Sequence, residues 1–256
     1  MNDRAGAVRT TFDGPIATLV IDNPARRNAM SLAMYAAVPA AVRAIIDSAD
    51  VRVVIVRGAG DIAFGAGSDI SEFATTRTGT AAARYNAIEE AAAEAIESIK
   101  VPVLALIHGP CMGGGAGMAL CADIRFAADD AMFAIPPAKL GVGFPAAGTA
   151  RLQATVGTSR AKDLIFSGRV IDAAEALRIG LVDAVVAKSA LDTHVATYAT
   201  QIVRNAPLTI AAAKLVLDNG DTDPSRAAVD ACYSSADYAE GIRAFGEKRR
   251  PTFRGC

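Results

Sequence analysis

Histidine and cysteine are scarce in this 256-residue chain, which has 2 histidines and 4 cysteines. The cysteines, at positions 111, 121, 232 and 256, lie far apart and form no C-x-x-C pair. That spacing excludes a zinc site or a disulfide framework and indicates reduced thiols. The histidines do not cluster with carboxylates, so the sequence predicts no metal site. A Ser-His-Asp triad would have to use His108 or His194 and is a disfavoured alternative.

An excess of one charge and long apolar runs are also missing. The chain has 26 basic and 27 acidic residues and a formal net charge of -1, so neither a nucleic-acid partner nor a charged solvating tail is expected. No apolar run approaches the length that spans a bilayer, so no membrane partner is expected either. Residues 1–4 lack the apolar segment of a signal peptide. These absences predict a cytoplasmic protein.

Hydrophobic residues make up 52% of the chain and charged residues 21%, enough for a sizeable core. Strand-like and helix-like segments alternate up to about residue 187, and the rest of the chain is helical in pattern. The alternation predicts an α/β fold of stacked units. We place the core with the active site in residues 1–195 and a helical oligomerisation region in residues 196–256.

The most informative stretch begins at residue 101. A short apolar run with β-branched residues, 101–107, predicts a buried strand. Five glycines follow between residues 109 and 117, and then a segment of small residues that predicts a tightly packed helix. Bare backbone N–H groups at such a junction can face a ligand near the positive end of the helix dipole. A second glycine-rich loop, 57–69, follows the predicted strand 51–56.

The familiar glycine-rich motifs do not fit these loops. Gly109 and Gly114 have the spacing of a phosphate-binding P-loop, but Gly115 stands where that motif needs lysine. Residues 113–118 lack the third glycine of the dinucleotide-binding fingerprint at its required offset. Ser68 is not in the G-x-S-x-G context of a hydrolase nucleophile. The loops therefore need a different interpretation.

Taken together and in order, six segments resemble the enoyl-CoA hydratase/isomerase (crotonase) superfamily over nearly the full chain. The segments are NPARRNAMS (23–31), VVIVRGAGDIAFGAGSDISEF (53–73), IHGPCMGGGAGMALCADIRFA (107–127), FAIPPAKLGVGFPAAGTARL (133–152), AKDLIFSGRVIDAAEALRIGLVDAVV (161–186) and GIRAFGEKRRPTFRG (241–255). The resemblance implies a crotonase-like spiral of ββα units. It also implies a C-terminal helical trimerisation region, giving a homotrimer or a hexamer. The implied substrate is an acyl-CoA thioester, with coenzyme A as part of the substrate and no separate cofactor.

The resemblance also implies roles for individual residues. The backbone N–H groups of Ser68 and Gly114 match the pair that binds the thioester oxygen as it becomes an enolate. Backbone donors aimed at developing negative charge are a strong catalytic device. The positions that match the family's coenzyme A contacts around the adenine are Ala66, Asp69 and Ile70. Arg26 or Arg27 matches the contact with the phosphates. Lys248 or Arg249 matches the contact with the 3′-phosphate, for which a residue of the same or of a neighbouring subunit is an alternative. For these basic residues, a solvated surface position is the alternative.

The chain departs from the family pattern at the positions of two catalytic glutamates. Family hydratases carry two glutamates that handle water and a proton, and the matching positions here are Gly117 and Pro137. Hydration needs groups that activate water and protonate the α-carbon. Three hypotheses follow: other proton carriers, a different reaction such as decarboxylation or thioester hydrolysis, or a coenzyme A-binding protein with little turnover. The candidate carriers are a bound water, Asp69, Glu72, His108, Lys139 and Tyr85, each of which also has an ordinary structural role available.

Overall fold

The computed structural model describes residues 6–256. The expectation that no signal peptide is present concerns residues 1–4, which lie outside the described residues. Within residues 6–256, no helix combines the length and apolar character needed to cross a membrane. The strands are β1 Ala7–Asp13, β2 Ile16–Asp22, β3 Val53–Gly58, β4 Val103–Ile107, β5 Pro110–Met112, β6 Ile124–Ala128, β7 Met132–Ala134, β8 Ile171–Asp172 and β9 Ala184–Val186.

Helices alternate with these strands and then take over the C-terminal quarter, as an α/β fold with a helical end predicts. The helices are α1 Leu32–Ile46, α2 Phe73–Thr76, α3 Ala81–Glu97, α4 Gly114–Ala119, α5 Pro137–Leu140, α6 Ala146–Ser167, α7 Ala173–Arg178, α8 Leu191–Val203, α9 Pro207–Asn219, α10 Asp223–Tyr233 and α11 Ala236–Gly246. Helix α6 is broken at Gly157, where φ is 78° and ψ is 161°. The sequence predicts two helices, 147–156 and 158–167, on either side of that glycine.

The strands form two sheets. The larger has the order β1-β2-β3-β4-β6-β9, and the smaller has the order β5-β7-β8. Strands β1 and β2 form the antiparallel hairpin that Asp13-Gly14 predicts, while β2, β3, β4, β6 and β9 pair in parallel. All five residues of β4 are buried, as expected for a parallel strand covered on both faces. Strand β5 and helix α5 lie in segments that the sequence pattern assigns to loops.

The two faces of the large sheet bury different helices. Helices α1 and α3 pack on the face that holds the main core, with Tyr35 and Tyr85 among its largest fully buried side chains. Helix α8 packs on the other face through Leu191, Val195 and Ala199. The division between residues 195 and 196 stays a prediction, and α8 runs across it.

The C-terminal segment is tied to α11 by two carboxylates. Glu240 accepts hydrogen bonds from the Arg249 guanidinium at 2.6 and 3.0 Å and from the Thr252 N–H at 3.1 Å. Asp237 accepts from the N–H groups of Arg254 at 2.6 Å and Gly255 at 2.8 Å. Buried carboxylates with this many donors fix the path of the last residues.

These contacts predict an acid-sensitive C-terminal segment. The Arg249 hydrogen bonds, followed by the Thr252 N–H, hold the pKa of Glu240 well below its usual range. A carboxyl group whose pKa is depressed by folding stabilises the fold at pH values above its unfolded-state pKa. That stabilisation is lost as the pH falls through the folded-state pKa. We therefore expect Glu240→Gln to lower the melting temperature at pH 7 and to have less effect in acid. Glu247→Gln, which changes only the exposed partner of Arg249, is the control, and an equal loss in both variants would contradict the prediction.

Candidate functional site

Three loops build the site: residues 23–31, residues 57–69 and residues 108–113. Asn28 joins the first of these loops to the second. Its side chain is buried, and its Nδ2 donates to the carbonyl oxygens of Ala59 at 3.1 Å and Ala63 at 2.7 Å. Its Oδ1 accepts from the Asn23 N–H at 3.0 Å. A buried amide with these partners satisfied fixes one loop against the other, and so holds the segment that leads to Ser68.

The second and third loops pair through their backbones. The Gly65 N–H donates to Pro110 O at 3.1 Å, and the Met112 N–H donates to Gly65 O at 2.9 Å. A β-carbon on Gly115 would lie 2.6 Å from Gly65 O, so only glycine allows α4 to approach the second loop this closely. The pairing brings Ser68 and Gly114 to the same place, as the sequence predicts.

Ser68 and Gly114 line one cleft, which is open to solvent. Gly67, with φ at 102°, turns the chain immediately before Ser68, and Gly113, with φ at 48°, does so before α4 begins at Gly114. A β-carbon on Gly67 would lie 3.7 Å from the Gly114 backbone nitrogen. The two backbone segments are therefore in van der Waals reach of each other at the wall of the cleft.

Two of the three positions predicted to surround the adenine lie at this cleft. Ala66 and Ile70 line it, and the Ile70 side chain is largely exposed. Asp69 does not face it as a free carboxylate, because it caps the turn at residues 70–72 by accepting from the Ser71 N–H and also forms an ion pair with Arg26. Hydrogen bonds from Ser71 lower the pKa of Asp69.

Arg26 and Arg27 differ in position. The exposed Arg26 guanidinium also donates to Ser71 Oγ at 3.1 Å. Arg27 adopts a left-handed backbone conformation with φ at 50°, and its carbonyl accepts from the Ala66 N–H at 2.9 Å. Of the two, Arg26 has the side chain that the structure places against the second loop.

Lys248 and Arg249 lie in the C-terminal segment, and neither lines the cleft. Lys248 has φ at 55° and an exposed side chain, whereas Arg249 is bound to Glu240 and Glu247. The contact of either residue with coenzyme A stays a prediction. It would be made to coenzyme A bound in a neighbouring subunit.

Three polar groups converge on Gly114. A β-carbon built on Gly114 would lie 2.1 Å from the Tyr35 hydroxyl oxygen, 2.9 Å from Ser68 Oγ and 3.4 Å from Glu89 Oε1. The Tyr35 hydroxyl and Ser68 Oγ are hydrogen-bonded at 3.0 Å. Glu89 thus brings a carboxylate to the Gly114 backbone from helix α3, a position that the family pattern does not suggest.

Arg77 holds the other oxygen of Glu89. Its Nη2 donates to Glu89 Oε2 at 2.9 Å and to Asn86 Oδ1 at 3.0 Å. The guanidinium carbon lies 4.4 Å from the centre of the Tyr85 ring and 5.1 Å from that of Phe73, within the range of cation–π attraction. Side-chain exposure is only 7% for Arg77 and 14% for Glu89, so this ion pair is largely shielded from water.

Burial shifts the pKa values of the ionisable groups near Gly114. It raises the pKa of Glu89, and Arg77 opposes that rise through its charge and its hydrogen bond. Burial is also the main cause of the raised pKa of Tyr35 and of Tyr85, so both phenols stay neutral at ordinary pH. A carboxyl group with a raised pKa in a cleft is a candidate for proton transfer.

A second, smaller cavity adjoins this cleft and shares part of its lining; we call it the inner chamber and the first one the outer cleft. Glu89, Gly114, Phe144 and Pro145 line both cavities, so they mark the junction between them. Gly117 lines the inner chamber, where a β-carbon would meet no atom within 4 Å, and Pro137 lines the outer cleft. Both positions that match family glutamates thus border the cavities but carry no carboxylate.

The other proton carriers suggested by the sequence are engaged elsewhere or lie off the cleft. Glu72 Oε2 accepts from the Leu32 N–H at 2.9 Å, and buried His108 contacts Asp192 through Nε2 at 2.9 Å. Neither His108 nor Lys139 lines the cleft. The buried Tyr85 hydroxyl has no hydrogen-bond partner among the described residues, but its raised pKa makes the phenolate difficult to form.

The helical spacing of α3 contains a signal for Glu89. Tyr85, Ala92, Ala93 and Ile96 are the buried residues of α3, and Glu89 lies four residues after Tyr85 and three before Ala92. Residues three and four apart share one face of a helix. A carboxylate in the apolar stripe of an alanine-rich helix therefore indicates a buried, functional position.

Comparisons with known proteins cover nearly the whole chain. The enoyl-CoA hydratase/isomerase family matches residues 11–256. The chain is 35% identical to a crotonyl-CoA hydratase of Syntrophomonas wolfei over 245 residues, 93% of this chain and 94% of the relative. It is 33% identical to a carnitinyl-CoA dehydratase of Salmonella enteritidis over 260 residues, 97% of this chain and 98% of the relative. The crystal structure of an enoyl-CoA hydratase/carnithine racemase from Magnetospirillum magneticum superposes with a TM-score of 0.92 at 36% identity, covering 97% of this chain and 96% of that one.

Proposed function

The chain belongs to the enoyl-CoA hydratase/isomerase family, and from that premise we propose that it hydrates a short 2-enoyl-CoA through a thioester enolate. In this reaction the water oxygen bonds to the β-carbon, and the electrons of the double bond move towards the thioester oxygen. The N–H groups of Ser68 and Gly114 bind that oxygen. The α-carbon then takes a proton, and the carbonyl reforms.

The single observation that carries the proposal is the meeting of two glycine-rich backbone segments at one cleft. Ser68 follows Gly67 and Gly114 follows Gly113, and the close approach of Gly115 to Gly65 holds the two segments together. Neutral N–H donors fixed before substrate arrives stabilise a developing enolate without reorganisation. Removing one such donor typically costs about 10²–10³ in kcat. The Ser68 hydroxyl has no part in this role and is free to bond to Tyr35.

The coenzyme A moiety occupies the outer cleft in this proposal. Ala66 and Ile70 supply apolar contact for the adenine, and Arg26 supplies positive charge for a phosphate. The Asp69 carboxylate positions Arg26 through their ion pair instead of contacting the ligand. Lys248 of a neighbouring subunit is the further phosphate contact that the family pattern suggests.

Decarboxylation is the second candidate, because Gly117 and Pro137 leave the cavities without the two family carboxylates and decarboxylation needs chiefly enolate stabilisation. The position of Glu89 argues against it. A malonyl-type carboxylate near the Gly114 backbone would lie beside Glu89 Oε1, and Arg77 is already paired with Glu89. Like charges in a shielded site repel strongly. Thioester hydrolysis and coenzyme A binding without turnover gain no specific support from the geometry.

The test is the loss of the enoyl-thioester absorbance of crotonyl-CoA on addition of the protein. We expect hydration to 3-hydroxybutyryl-CoA, confirmed by mass. No hydration, together with CO₂ release from methylmalonyl- or ethylmalonyl-CoA, would replace the proposal with decarboxylation. Tight butyryl-CoA binding with no turnover of either substrate class would leave a coenzyme A-binding protein.

We also propose that the protein assembles as a homotrimer, or as a hexamer of two trimers, through its C-terminal helices. Several large apolar side chains there are exposed in the single chain, among them Leu217 at 84%, Tyr233 at 65%, Ile242 at 59% and Phe245 at 88%. Exposed apolar surface of this kind is typical of a contact between subunits. Light scattering coupled to size exclusion should give three or six times the mass of 26.3 kDa, and a monomeric mass would contradict the proposal.

A further inference from the structure

Glu89 occupies the point where the two cavities meet. It lines the outer cleft with Ser68 and Pro137 and the inner chamber with Gly117. Its Oε1 is the carboxylate oxygen nearest the Gly114 backbone. An acyl thioester whose oxygen is bound by the N–H groups of Ser68 and Gly114 would have its α- and β-carbons close to the Gly114 backbone. Glu89 Oε1 lies on that side of Gly114, which makes it the carboxylate oxygen best placed to exchange protons with those carbons.

The two oxygens of Glu89 have different surroundings. Oε2 is held by Arg77 at 2.9 Å, and Arg77 is itself held by Asn86 and by the faces of two aromatic rings. Oε1 points to the Gly114 side. A base oriented by a second group, with one atom directed to the reacting centre, is the arrangement that general acid–base catalysis requires.

The groups that face Glu89 favour reversible protonation. Arg77 lowers its pKa, while burial and the charge of Glu90 raise it. Glu90 is partly neutralised by an ion pair with Arg151 at 2.6 Å. From α1, the Tyr35 hydroxyl adds a neutral dipole, because burial raises the pKa of that phenol. Burial is the largest of these effects, so the pKa of Glu89 is raised and the carboxylate is easier to protonate than an exposed glutamate.

We propose that Glu89 is the proton-transferring residue of this enzyme, a single carboxylate that serves in place of the two glutamates absent at positions 117 and 137. The inference rests on the proposed hydration. As the water oxygen bonds to the β-carbon, one O–H bond of the water breaks and its proton moves to Glu89 Oε1. The electrons of the double bond pass to the thioester oxygen. Glu89 then gives the proton to the α-carbon, the carbonyl reforms, and Glu89 ends as a carboxylate.

The same carboxylate is suited to exchanging the α-proton of a saturated acyl-CoA. It takes a proton from the α-carbon, the carbon–hydrogen electrons pass to the thioester oxygen, and a proton from Glu89 returns to the α-carbon. In D₂O, Glu89 exchanges its proton with solvent between the two steps. Deuterium incorporation into butyryl-CoA therefore reports the role of Glu89 without the addition of water.

The test compares Glu89→Gln with Glu94→Gln, which changes an exposed carboxylate on the same helix. General acid–base groups contribute about 10²–10⁴ in rate, so we expect Glu89→Gln to lower kcat for crotonyl-CoA and α-deuterium exchange of butyryl-CoA by that factor. Butyryl-CoA affinity should stay within about threefold, since the amide keeps the size of the side chain. Glu94→Gln should match the wild type in all three measurements.

Each outcome decides a different statement. Wild-type kcat and exchange in a folded Glu89→Gln variant would overturn the role of Glu89 and leave the proposed hydration standing. If the wild-type protein fails to hydrate crotonyl-CoA but exchanges the α-proton of butyryl-CoA in a manner that depends on Glu89, the hydration proposal fails and the role of Glu89 survives. If Glu89→Gln does not fold, the wild-type profile of kcat/KM decides. The acid limb should lie above about pH 4.3, the usual glutamate pKa, and a profile without that limb would overturn the role.

Discussion

Replacing Gly114 by proline is expected to lower kcat for crotonyl-CoA by about 10²–10³, because proline has no N–H to offer the enolate oxygen. Proline is compatible with the helix itself, since Gly114 is the first residue of α4 and its N–H has no partner within the helix. The loss should appear in kcat more than in KM, because the N–H bonds most strongly to the charged oxygen that forms after binding.

A side chain at 114 brings a complication that the controls must remove. Any β-carbon there would lie 2.1 Å from the Tyr35 hydroxyl oxygen, so both Gly114→Pro and Gly114→Ala would disturb Tyr35. We therefore compare the two substitutions in a Tyr35→Phe background. This change removes the nearest oxygen and frees the Ser68 hydroxyl, 2.9 Å from the same β-carbon, to rotate away. The alanine variant keeps the N–H and should retain most of the Tyr35→Phe activity. Equal losses for proline and alanine would show that the Gly114 N–H is not an oxyanion donor.

The fold was largely predictable because its signals are local and repeated. β-Branched runs predict β3 and β4, the Asp13-Gly14 turn predicts the first hairpin, and Gly157 marks the break in α6. Strand β5 was missed because residues 110–112 carry no periodic pattern. They pair with β7 only because β4 and β6 first bring the two segments together, which is a tertiary effect.

The candidate site, like the fold, was predictable from the sequence only in part. Ser68 and Gly114 belong to continuous motifs, so their segments are recognisable in the sequence, and the structure brings them together. The Glu89–Arg77 pair belongs to no motif, because its members lie on either side of a turn and meet through side chains. The helical spacing of Glu89 to Tyr85 and Ala92 shows which face it occupies, but not that Gly114 is opposite. That contact depends on how α3 packs against α1 and α4, which no local pattern contains.

In the proposed reaction, a carboxylate at a different position replaces the two family carboxylates. Glutamates at positions 117 and 137 would project their carboxylates from α4 and α5, which form walls of the two cavities. Glu89 instead approaches from α3, at the junction between those cavities. One residue at the junction can serve both the β-carbon and the α-carbon, because these atoms are adjacent in the substrate. This is the physical reason that a single carboxylate is sufficient in the proposed reaction.

Arg77→Met is expected to have the largest effect on stability among the variants considered. Arg77 and Glu89 are 7% and 14% exposed, and removal of one partner from such a shielded pair typically costs about 3–5 kcal/mol. Methionine keeps much of the contact with the Phe73 and Tyr85 rings, so the cost reflects mainly the unpaired Glu89. Arg84→Met, an exposed arginine on α3, should change the free energy of unfolding by less than about 0.5 kcal/mol.

The loss of free energy of unfolding caused by Arg77→Met should increase as the pH rises. Both effects of Arg77 on Glu89 lower its pKa, so the variant should have a Glu89 pKa raised further above that of the unfolded chain. A carboxyl group with a raised folded-state pKa destabilises the fold as pH rises through the interval between the two values. Urea unfolding should therefore show a small difference from wild type near pH 4 and the full difference above the new folded-state pKa.

The same shift should appear in catalysis, because Glu89 must be ionised to accept a proton from water. In Arg77→Met the acid limb of kcat/KM should move to higher pH, with activity at pH 7 reduced and partly regained in more alkaline buffer. A merely structural role for Arg77 would lower activity at every pH without moving the limb. An unmoved limb would mean that Arg77 does not set the protonation of Glu89, whereas a limb that moves with the stability curve ties both effects to one carboxylate.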